Sequence, residues 1–481
     1  MYALINIYFI YIFLNSKVTY LTDVDYDNLL MKIKHSKEED KKVQELSNKL
    51  IKVLNESSDE HNVPATAVLV GSVAKGTWLA GNADIDILIK FPLETSSEYL
   101  KEYGLKIGHK CIQKMQGSSE ERYASHPYVT GYIDGYYVDF VPCYDIKSSI
   151  ELKSAVDRTL LHTEYIKANL TDKQADEVVL LKKFMDSVGT YGSEFRVGGF
   201  SGYICEMLIL KYDNFIQTLQ NAAKNWNYGY ILDLENYGTG SLFKDPLIAI
   251  DPVDKKRNVA AALTLQKMSE FIVAAGNFLH TPSEEYFTLK KYKTEPHTIM
   301  EQFKKRTTKT VLICFKPPKI PADAIYPQIK KTENSIVRVA ESEGFSIFGS
   351  ESWTDEDDQA VILIEFETWQ LPYIKKHEGP QIWIREHQER FLEKYGQNAW
   401  IEEDRWVVGV KRDYIDGETL LSDLMTGKKS GYLKFGKHLK KKIMKEHQII
   451  DVKEYLNTDK AEGKILHFLH HYLNQGELLY R

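Results

Sequence analysis

Residues 67–91 read AVLVGSVAKGTWLAGNADIDILIKF, and the reading of this stretch decides the rest. Val68 to Val70 predicts a short apolar strand that runs into Gly71-Ser72. A turn-rich segment follows, after which Ile85, Ile87 and Ile89 alternate with Asp84, Asp86, Leu88 and Lys90. A period of two is that of a strand, so Asp84 and Asp86 project from one face. Two adjacent carboxylates repel unless a cation relieves them. Carboxylate oxygens together with phosphates are the donors Mg²⁺ prefers. The Gly-Ser turn upstream offers N–H groups and a hydroxyl to phosphate oxygens. Alone, the DID triplet is equally the edge of a polar strand; joined to Gly71-Ser72 it reads as a metal and phosphate site.

A chain of 481 residues calls for two to four domains. Its 43% hydrophobic and 27% charged residues are those of a soluble globular protein. A net charge of −6 excludes a surface that is basic throughout, but leaves room for a local basic patch. The 30 tyrosines suit stacking surfaces, and equally an AT-rich gene. Cys111, Cys143, Cys205 and Cys314 are scattered without metal-ligand spacing, which predicts reduced thiols in the cytoplasm and no disulfide, zinc or organic cofactor. The opening MYALINIYFIYIFLN is apolar but lacks a basic flank and a cleavage site, and falls short of the ~20 residues a membrane span needs. Residues 1–25 are therefore expected to be a non-native or disordered extension, with the natural start near Met31, and no membrane contact is expected.

From Asp27 the sequence predicts helices, with Leu46, Leu50, Ile51 and Leu54 at helical spacing. Residues 98–126 predict a helix over Glu98 to Tyr103 and then a polar loop. In VTGYIDGYYVDFVPCYDI (129–146), Asp134-Gly135 between two alternating runs predicts a hairpin. Its returning strand sets Asp139 on one face with Tyr137 and Val141. By itself Asp139 is an edge charge; beside Asp84 and Asp86 it becomes a third metal ligand. Three carboxylates around two cations, with a triphosphate completing the shell, suit nucleotidyl transfer. SAVDRTLLHTEYIKANL (154–170) predicts a helix with Thr159 and His162 on one face. Downstream, Val178, Leu181 and Met185 form an apolar stripe flanked by Lys182 and Lys183, and a glycine-rich loop carries Tyr191. Singly, Thr159, His162, Lys182 and Tyr191 are packing or surface residues; together they are donors for a triphosphate.

GSVAKGTW (71–78), DIDILIKFP (84–92), VDFVPCY (138–144), AVDRTLLHTEY (155–165), LLKKFM (180–185), YGSEFRVGGFSGYICE (191–206) and DPVDKKRNVAAAL (251–263) fall in order. Together they resemble the archaeal (class I) CCA-adding tRNA nucleotidyltransferases of the polymerase β nucleotidyltransferase superfamily. The resemblance implies an α+β multidomain fold. It would comprise a catalytic head with a mixed sheet over 26–150, a helical central neck over 151–285, and an α+β body and tail over 286–481. It also implies that Asp84, Asp86 and Asp139 hold two Mg²⁺ ions and that Asp139 helps activate the RNA 3′-hydroxyl. Ser72, Lys75, His162, Lys182 and Tyr191 would contact CTP or ATP, with Thr159 close by. Arg257 would face the base and contribute to the choice of C or A. Leu160 stands where the family usually has proline, a departure that removes no ligand.

In the second half, the polar stretch at 237–241 and Asp251-Pro252 predict a boundary zone, and Asn258 to Leu279 a helix. TVLICFK (310–316) predicts a buried strand, and 325–342 an amphipathic helix exposing Lys330, Lys331 and Arg338. Strands are expected at 361–367 and 406–411 around a helix at 385–395, an α+β arrangement. By resemblance this region grips the acceptor and T-arm of tRNA. TGKKSGYLKFGKHLKKKIMKEH (426–447) gathers Lys428, Lys429, Lys434, Lys437, Lys440, Lys441, Lys442 and Lys445. A solvated helix face is the plain explanation; interleaved Tyr432 and Phe435 favour RNA phosphate contact. The function expected is addition of C, C and A to tRNA 3′ ends. A poly(A) polymerase-like transferase and a catalytically silent RNA-binding protein are the alternatives, and the oligomeric state, a homodimer included, is left open.

Overall fold

Thr66–Val70 (β1), Asp84–Phe91 (β2), Ser118–Tyr123 (β3), Pro127–Ile133 (β4) and Tyr136–Tyr144 (β5) form one mixed sheet, ordered β1-β2-β5-β4-β3. They are seen in a computed structural model that describes residues 24–123, 127–290, 292, 294–428 and 431–481. Only β2 and β5 run parallel; every other pairing in this sheet is antiparallel. Asp134 and Gly135 both have positive φ, 50° and 88°, as the expected two-residue hairpin requires.

One face of the sheet is closed by Lys37–Glu60 (α2) and Ser97–Lys114 (α4), counting Tyr26–Ile33 as α1 and Gly71–Lys75 as α3. Ile85, Ile87 and Ile89 pack there with Leu46, Leu50 and Leu54 of α2 and Leu100 and Ile107 of α4. The opposite face is apolar at one end only, where Val70, Leu88 and Cys143 meet Leu160 of Arg158–Asn169 (α5). The other end of that face carries the aspartates. The helix expected at 98–103 extends to Lys114, and the expected polar loop contains the exposed edge strand β3.

Asp157 ties α5 to the sheet. Its buried carboxylate accepts hydrogen bonds from the N–H groups of Tyr144, Lys153 and Ser154. Asp172–Ser187 (α6), Gly202–Tyr212 (α7), Phe215–Asn225 (α8) and Leu265–His280 (α9) then pack around Phe184. Its ring lies within 6.2 Å of those of Phe215, Phe271, Phe278, Tyr286 and Phe287. The helix expected from Asn258 begins only at Leu265, where Thr264 caps it. Asn258 instead ends a strand, and its side-chain oxygen accepts from the Ala249 and Ala260 N–H groups. Tyr230–Leu232 (β6), Leu247–Asp251 (β7) and Asp254–Asn258 (β8) make a small sheet in the span expected to be a boundary zone; β7 is buried throughout.

All these elements belong to one compact unit, which ends at Lys290 and includes Gly476–Arg481. Leu479 is held there by Asn277 and Tyr286. The expectation for residues 1–23 lies outside the described residues; Val24 is buried and Asp25 caps α1 ahead of Met31.

A second unit spans Lys291–Gln475. Its central sheet contains Lys309–Phe315 (β9), Ser346–Thr354 (β10), Ala360–Thr368 (β11) and Gln448–Asp451, in the order β10-β11-β9 followed by the last strand. The helices Ala322–Glu343 and Gly417–Thr426 cover one face; Pro296–Arg306 and Lys464–Leu473 cover the other. Burial on both faces explains the unbroken apolar run of β9. Ile374–Gln381, Ala399–Glu402 and Arg405–Lys411 form a separate three-stranded sheet beside the helix Arg385–Tyr395. The fold class is α+β, as expected.

Asp157→Ala leaves three backbone N–H groups without their acceptor. It is expected to lower stability by about 3 kcal/mol in denaturant unfolding, since each buried unpaired group costs ~1–3 kcal/mol.

Candidate active site

The parallel register sets Asp86 directly beside Asp139, with Asp84 beside Tyr137. β1 ends at Val70 opposite Asp86, and Gly71 turns the chain with φ +72°. A Cβ on Gly71 would lie 2.0 Å from Asp86 Oδ2, so only glycine fits both the backbone and the space. Thr130, across from Asp139 on β4, donates to Asp139 Oδ1 at 2.6 Å. Burial, then the charges of Asp139 and Asp84, push the Asp86 carboxyl up to about 7 against the pull of Lys75. Burial also raises Asp84 and Asp139, while Arg122 works against the rise in both.

Oxygen donors whose charged forms are disfavoured by burial first and by neighbouring carboxylates second suit a hard divalent cation, which takes the place of the proton. Among the described residues no group of three or more acidic, imidazole or thiol side chains is placed to hold a metal ion by itself. The aspartates share an open face instead, the form expected of a site whose remaining ligands come with the substrate.

Beyond Gly71, the first turn of α3 presents Ser72, half-buried, and ends at Lys75. Lys75 Nζ lies 2.6 Å from Glu206 Oε2 of α7, whose other oxygen accepts from Thr77 Oγ1 at 2.7 Å. Lys182 of α6 reaches the same carboxylate at 3.6 Å and donates to the Thr77 carbonyl at 3.0 Å. Lys182 departs from the expected helix-flank position: it is buried, and burial lowers its pKa. Burial alone would raise Glu206, but Lys75 and Lys182 hold it below its usual range. The Tyr191 hydroxyl and Lys182 Nζ each lie 3.2 Å from the point a Gly202 Cβ would occupy.

His162 Nε2 lies 2.9 Å from Asp251 Oδ2, and Arg257 Nη1 donates to that same oxygen at 2.9 Å. Asp251 is fully buried, and its Oδ1 accepts from the Val253 N–H. The imidazole stacks on Tyr203 with centroids 4.0 Å apart; the Tyr203 hydroxyl is buried with no hydrogen-bond partner. His162, Tyr203 and Arg257 line a cavity of about 940 Å³ together with Ser201, Asn258 and Lys256. An unpaired hydroxyl, a guanidinium and a stacked imidazole on one cavity are what a polar, anionic ligand would meet. Thr159, half-buried, stands one turn before Thr163, which donates to its carbonyl.

The sequence reading missed Glu206, Thr77, Asp251 and Tyr203. Glu206 had a signal, a lone acid in the apolar helix GYICEMLILKY; Asp251 likewise closes the apolar run LIAID. In the second unit, Lys428 pairs with Asp423 at 2.8 Å, and Lys429 lies outside the described residues. Lys434, Lys437, Lys440, Lys441, Lys442 and Lys445 are exposed, while Leu439 and Ile443 bury the inner face of their helix. Tyr432 is 72% exposed as a stacking residue must be; Phe435 is in the core, because its backbone neighbours dock on Thr332 and Ser335.

The nucleotidyltransferase domain family matches residues 48–166, the span that carries all three aspartates, and gives the site its class. Residues 176–288 match the second domain of tRNA nucleotidyltransferases, and 306–451 the C-terminal domain of CCA-adding enzymes. The CCA-adding enzyme of Methanothermobacter thermautotrophicus is 48% identical over 457 residues, covering 95% of this chain and 99% of that protein. That of Methanocaldococcus jannaschii is 38% identical over 409 residues, covering 83% and 90%. The chain belongs to the archaeal CCA-adding enzymes and is a nucleotidyltransferase. Its superfamily works with divalent metal ions. A solved structure of a cytoplasmic RNA terminal U-transferase is 16% identical and covers 56% of this chain and 98% of its own, with a TM-score of 0.43.

Because Asp86 is raised from 3.8 to about 7, its contribution to stability is complete below 3.8 and is lost as pH rises through about 7. In a chelator, the melting temperature is expected to fall as pH rises from about 4 to about 7, and Asp86→Asn to flatten that fall. Calorimetry with and without Mg²⁺ checks it: the metal should stabilise the native protein most at pH 8 and the variant least.

Proposed function

We propose that this chain adds C, C and A to tRNA 3′ ends from CTP and ATP, without a nucleic-acid template, releasing pyrophosphate. What carries the reading is a full-length match to CCA-adding enzymes beside three co-facial aspartates. Asp84, Asp86 and Asp139 are assigned to hold two Mg²⁺ ions, which when bound supply Lewis-acid polarisation of the attacking hydroxyl and neutralise charge on the leaving group. Asp139, steadied by Thr130, is assigned to orient the RNA 3′-hydroxyl and take part in removing its proton. Ser72, Lys75, Lys182, Tyr191 and His162, with Thr159 near, are assigned to the nucleotide. Lys75 and Lys182 share the single carboxylate of Glu206, and the surplus positive charge favours a triphosphate.

Arg257 is assigned to the base, on the cavity wall and anchored by Asp251. The lysines of the 426–447 stretch, Lys428, Lys429, Lys437, Lys440 and Lys441 among them, are assigned to phosphates of the tRNA acceptor and T-arm. Such contacts position a duplex without reading its sequence, which suits an enzyme acting on every tRNA.

Three tRNA transcripts, ending before CCA, after C and after CC, test the reading with CTP, ATP and Mg²⁺. C is expected on the first two and A alone on the third, with Asp139→Ala reducing all by several orders of magnitude. Untemplated runs of A on any RNA would show a poly(A) polymerase instead.

Asp251→Asn keeps the side-chain shape. Once its carbonyl faces the Val253 N–H, its NH₂ confronts Arg257, whereas His162 can accept from it by changing tautomer. The variant is expected to lose roughly ten- to hundredfold in discrimination between CTP and ATP, the scale of one hydrogen bond to a charged group. Its KM for the favoured nucleotide should move much less.

A further inference from the structure

The face that bears the aspartates continues across β5 and β4. Tyr137 shares it with Asp139, two residues away, and stands beside Asp84 in the parallel register. Tyr132 lies directly across from Tyr137 in the antiparallel register. The two rings pack on each other with centroids 5.2 Å apart, and they remain 48% and 57% exposed. On the reverse of the same strands, Ile133 and Val138 are buried. The tyrosines thus lie on the solvent side of a sheet whose other face carries the core, and the hydrophobic core does not require them. At ~3.4 Å per residue and ~4.8 Å between strands, the pair sits roughly 7 Å from Asp139.

Position gives the pair its meaning. The strand order is β1-β2-β5-β4-β3, with Asp86 and Asp139 on the two middle members β2 and β5. β1 leads to Gly71-Ser72 and Lys75 on one side of the aspartates; β4 carries Tyr132 on the other. Displacement at phosphorus is in line, so the attacking hydroxyl and the departing pyrophosphate lie on opposite sides of the reacting atom. If the triphosphate lies toward β1, the nucleotide bearing the hydroxyl lies toward β4. Arg122 on β3 is on this face too: its register partner is Tyr128, two residues before Thr130 on β4. Its guanidinium pairs with Glu120 of the same strand at 3.2 Å.

We propose that Tyr132 and Tyr137 form the stacking platform for the last base of the RNA, the one whose ribose carries the attacking 3′-hydroxyl. The proposal rests on the reading of the chain as an RNA-extending transferase. Stacking on a ring accepts every base, as a substrate whose terminal nucleotide changes at each addition demands. The hydroxyls of the tyrosines are not needed for this, only their faces.

The probe is a tRNA transcript ending before CCA whose last nucleotide carries 2-aminopurine, a base whose fluorescence falls when stacked. The wild-type protein is expected to quench it and to extend an unlabelled transcript. Tyr132→Ala with Tyr137→Ala should abolish the quenching and lower kcat/KM for tRNA roughly ten- to hundredfold, with the KM for CTP and the melting temperature unchanged. Tyr132→Phe with Tyr137→Phe should behave as the wild type. Undiminished quenching and extension in the alanine pair would overturn the proposal, as would a phenylalanine pair as defective as the alanine pair. A rise in the KM for CTP instead of the loss with tRNA would assign the rings to the incoming nucleotide and overturn it as well. A wild-type protein that extends no transcript would bring down the transferase reading and the proposal together.

Discussion

Two carboxylates held side by side by parallel strand pairing are the constraint around which this molecule is built. Asp86 and Asp139 cannot separate, because the register of β2 with β5 is set by Ile85, Ile87, Val138 and Phe140 on the buried face. Slipping one strand by one residue would turn every apolar side chain outward, so the core enforces a repulsion that the carboxylates alone would never choose. Gly71 tightens the constraint by letting the chain pass against Asp86 where any side chain would collide. Folding energy from one face of the sheet is thus stored as charge repulsion on the other, where a cation can release it.

The same logic recurs in the wall beside the aspartates, with the sign reversed. Lys75 and Lys182 come from different elements and would repel each other, and Glu206 holds them together from within the core. Asp251 does the same for His162 and Arg257. A buried ion pair is weak support for stability, because the desolvation of its members offsets most of the attraction. Its stronger effect is on geometry. Two fully buried acids fix four cationic or imidazole groups from helices and strands far apart in sequence, and no single element could present that set.

This division also explains how much was legible in the sequence. The aspartates were visible because they occupy the polar phase of a period-two pattern whose alternate residues are apolar; Asp134-Gly135 was visible because its turn demands positive φ. The strand β3 was missed because an edge strand exposed on both faces carries no apolar period, and Ser118–Tyr123 is exposed at every position. The stretch from Asn258 to Thr264 looked helical because Ala260 and Leu263 continue the apolar spacing of Met268, Phe271 and Ile272. There the Asn258 side chain outcompeted the helix by bonding to two backbone N–H groups. Lys182 was misplaced because a lysine normally lies outside an apolar stripe; only its tertiary partners Thr77 and Glu206 make burial tolerable.

A last consequence concerns charge. A chain with a net charge of −6 handles a triphosphate and, in the reading proposed, a polyanion. Bulk charge would oppose both, so the attraction has to be local. Near the aspartates the cations Lys75, Lys182 and Arg257 are paired with the buried acids Glu206 and Asp251, which leaves only a small surplus of positive charge. In the second unit a short helix, Leu439–Lys445, buries Leu439 and Ile443 and exposes Lys440, Lys441, Lys442 and Lys445, and Lys434 and Lys437 are exposed ahead of it. Their field is screened within about 8 Å at physiological salt. In the reading proposed, the first arrangement acts at contact distance on a ligand already placed, and the second acts on one still arriving and weakens steeply with salt. On that same reading, an acidic protein meets a nucleotide and an RNA with two sets of cations that differ in burial and not merely in number.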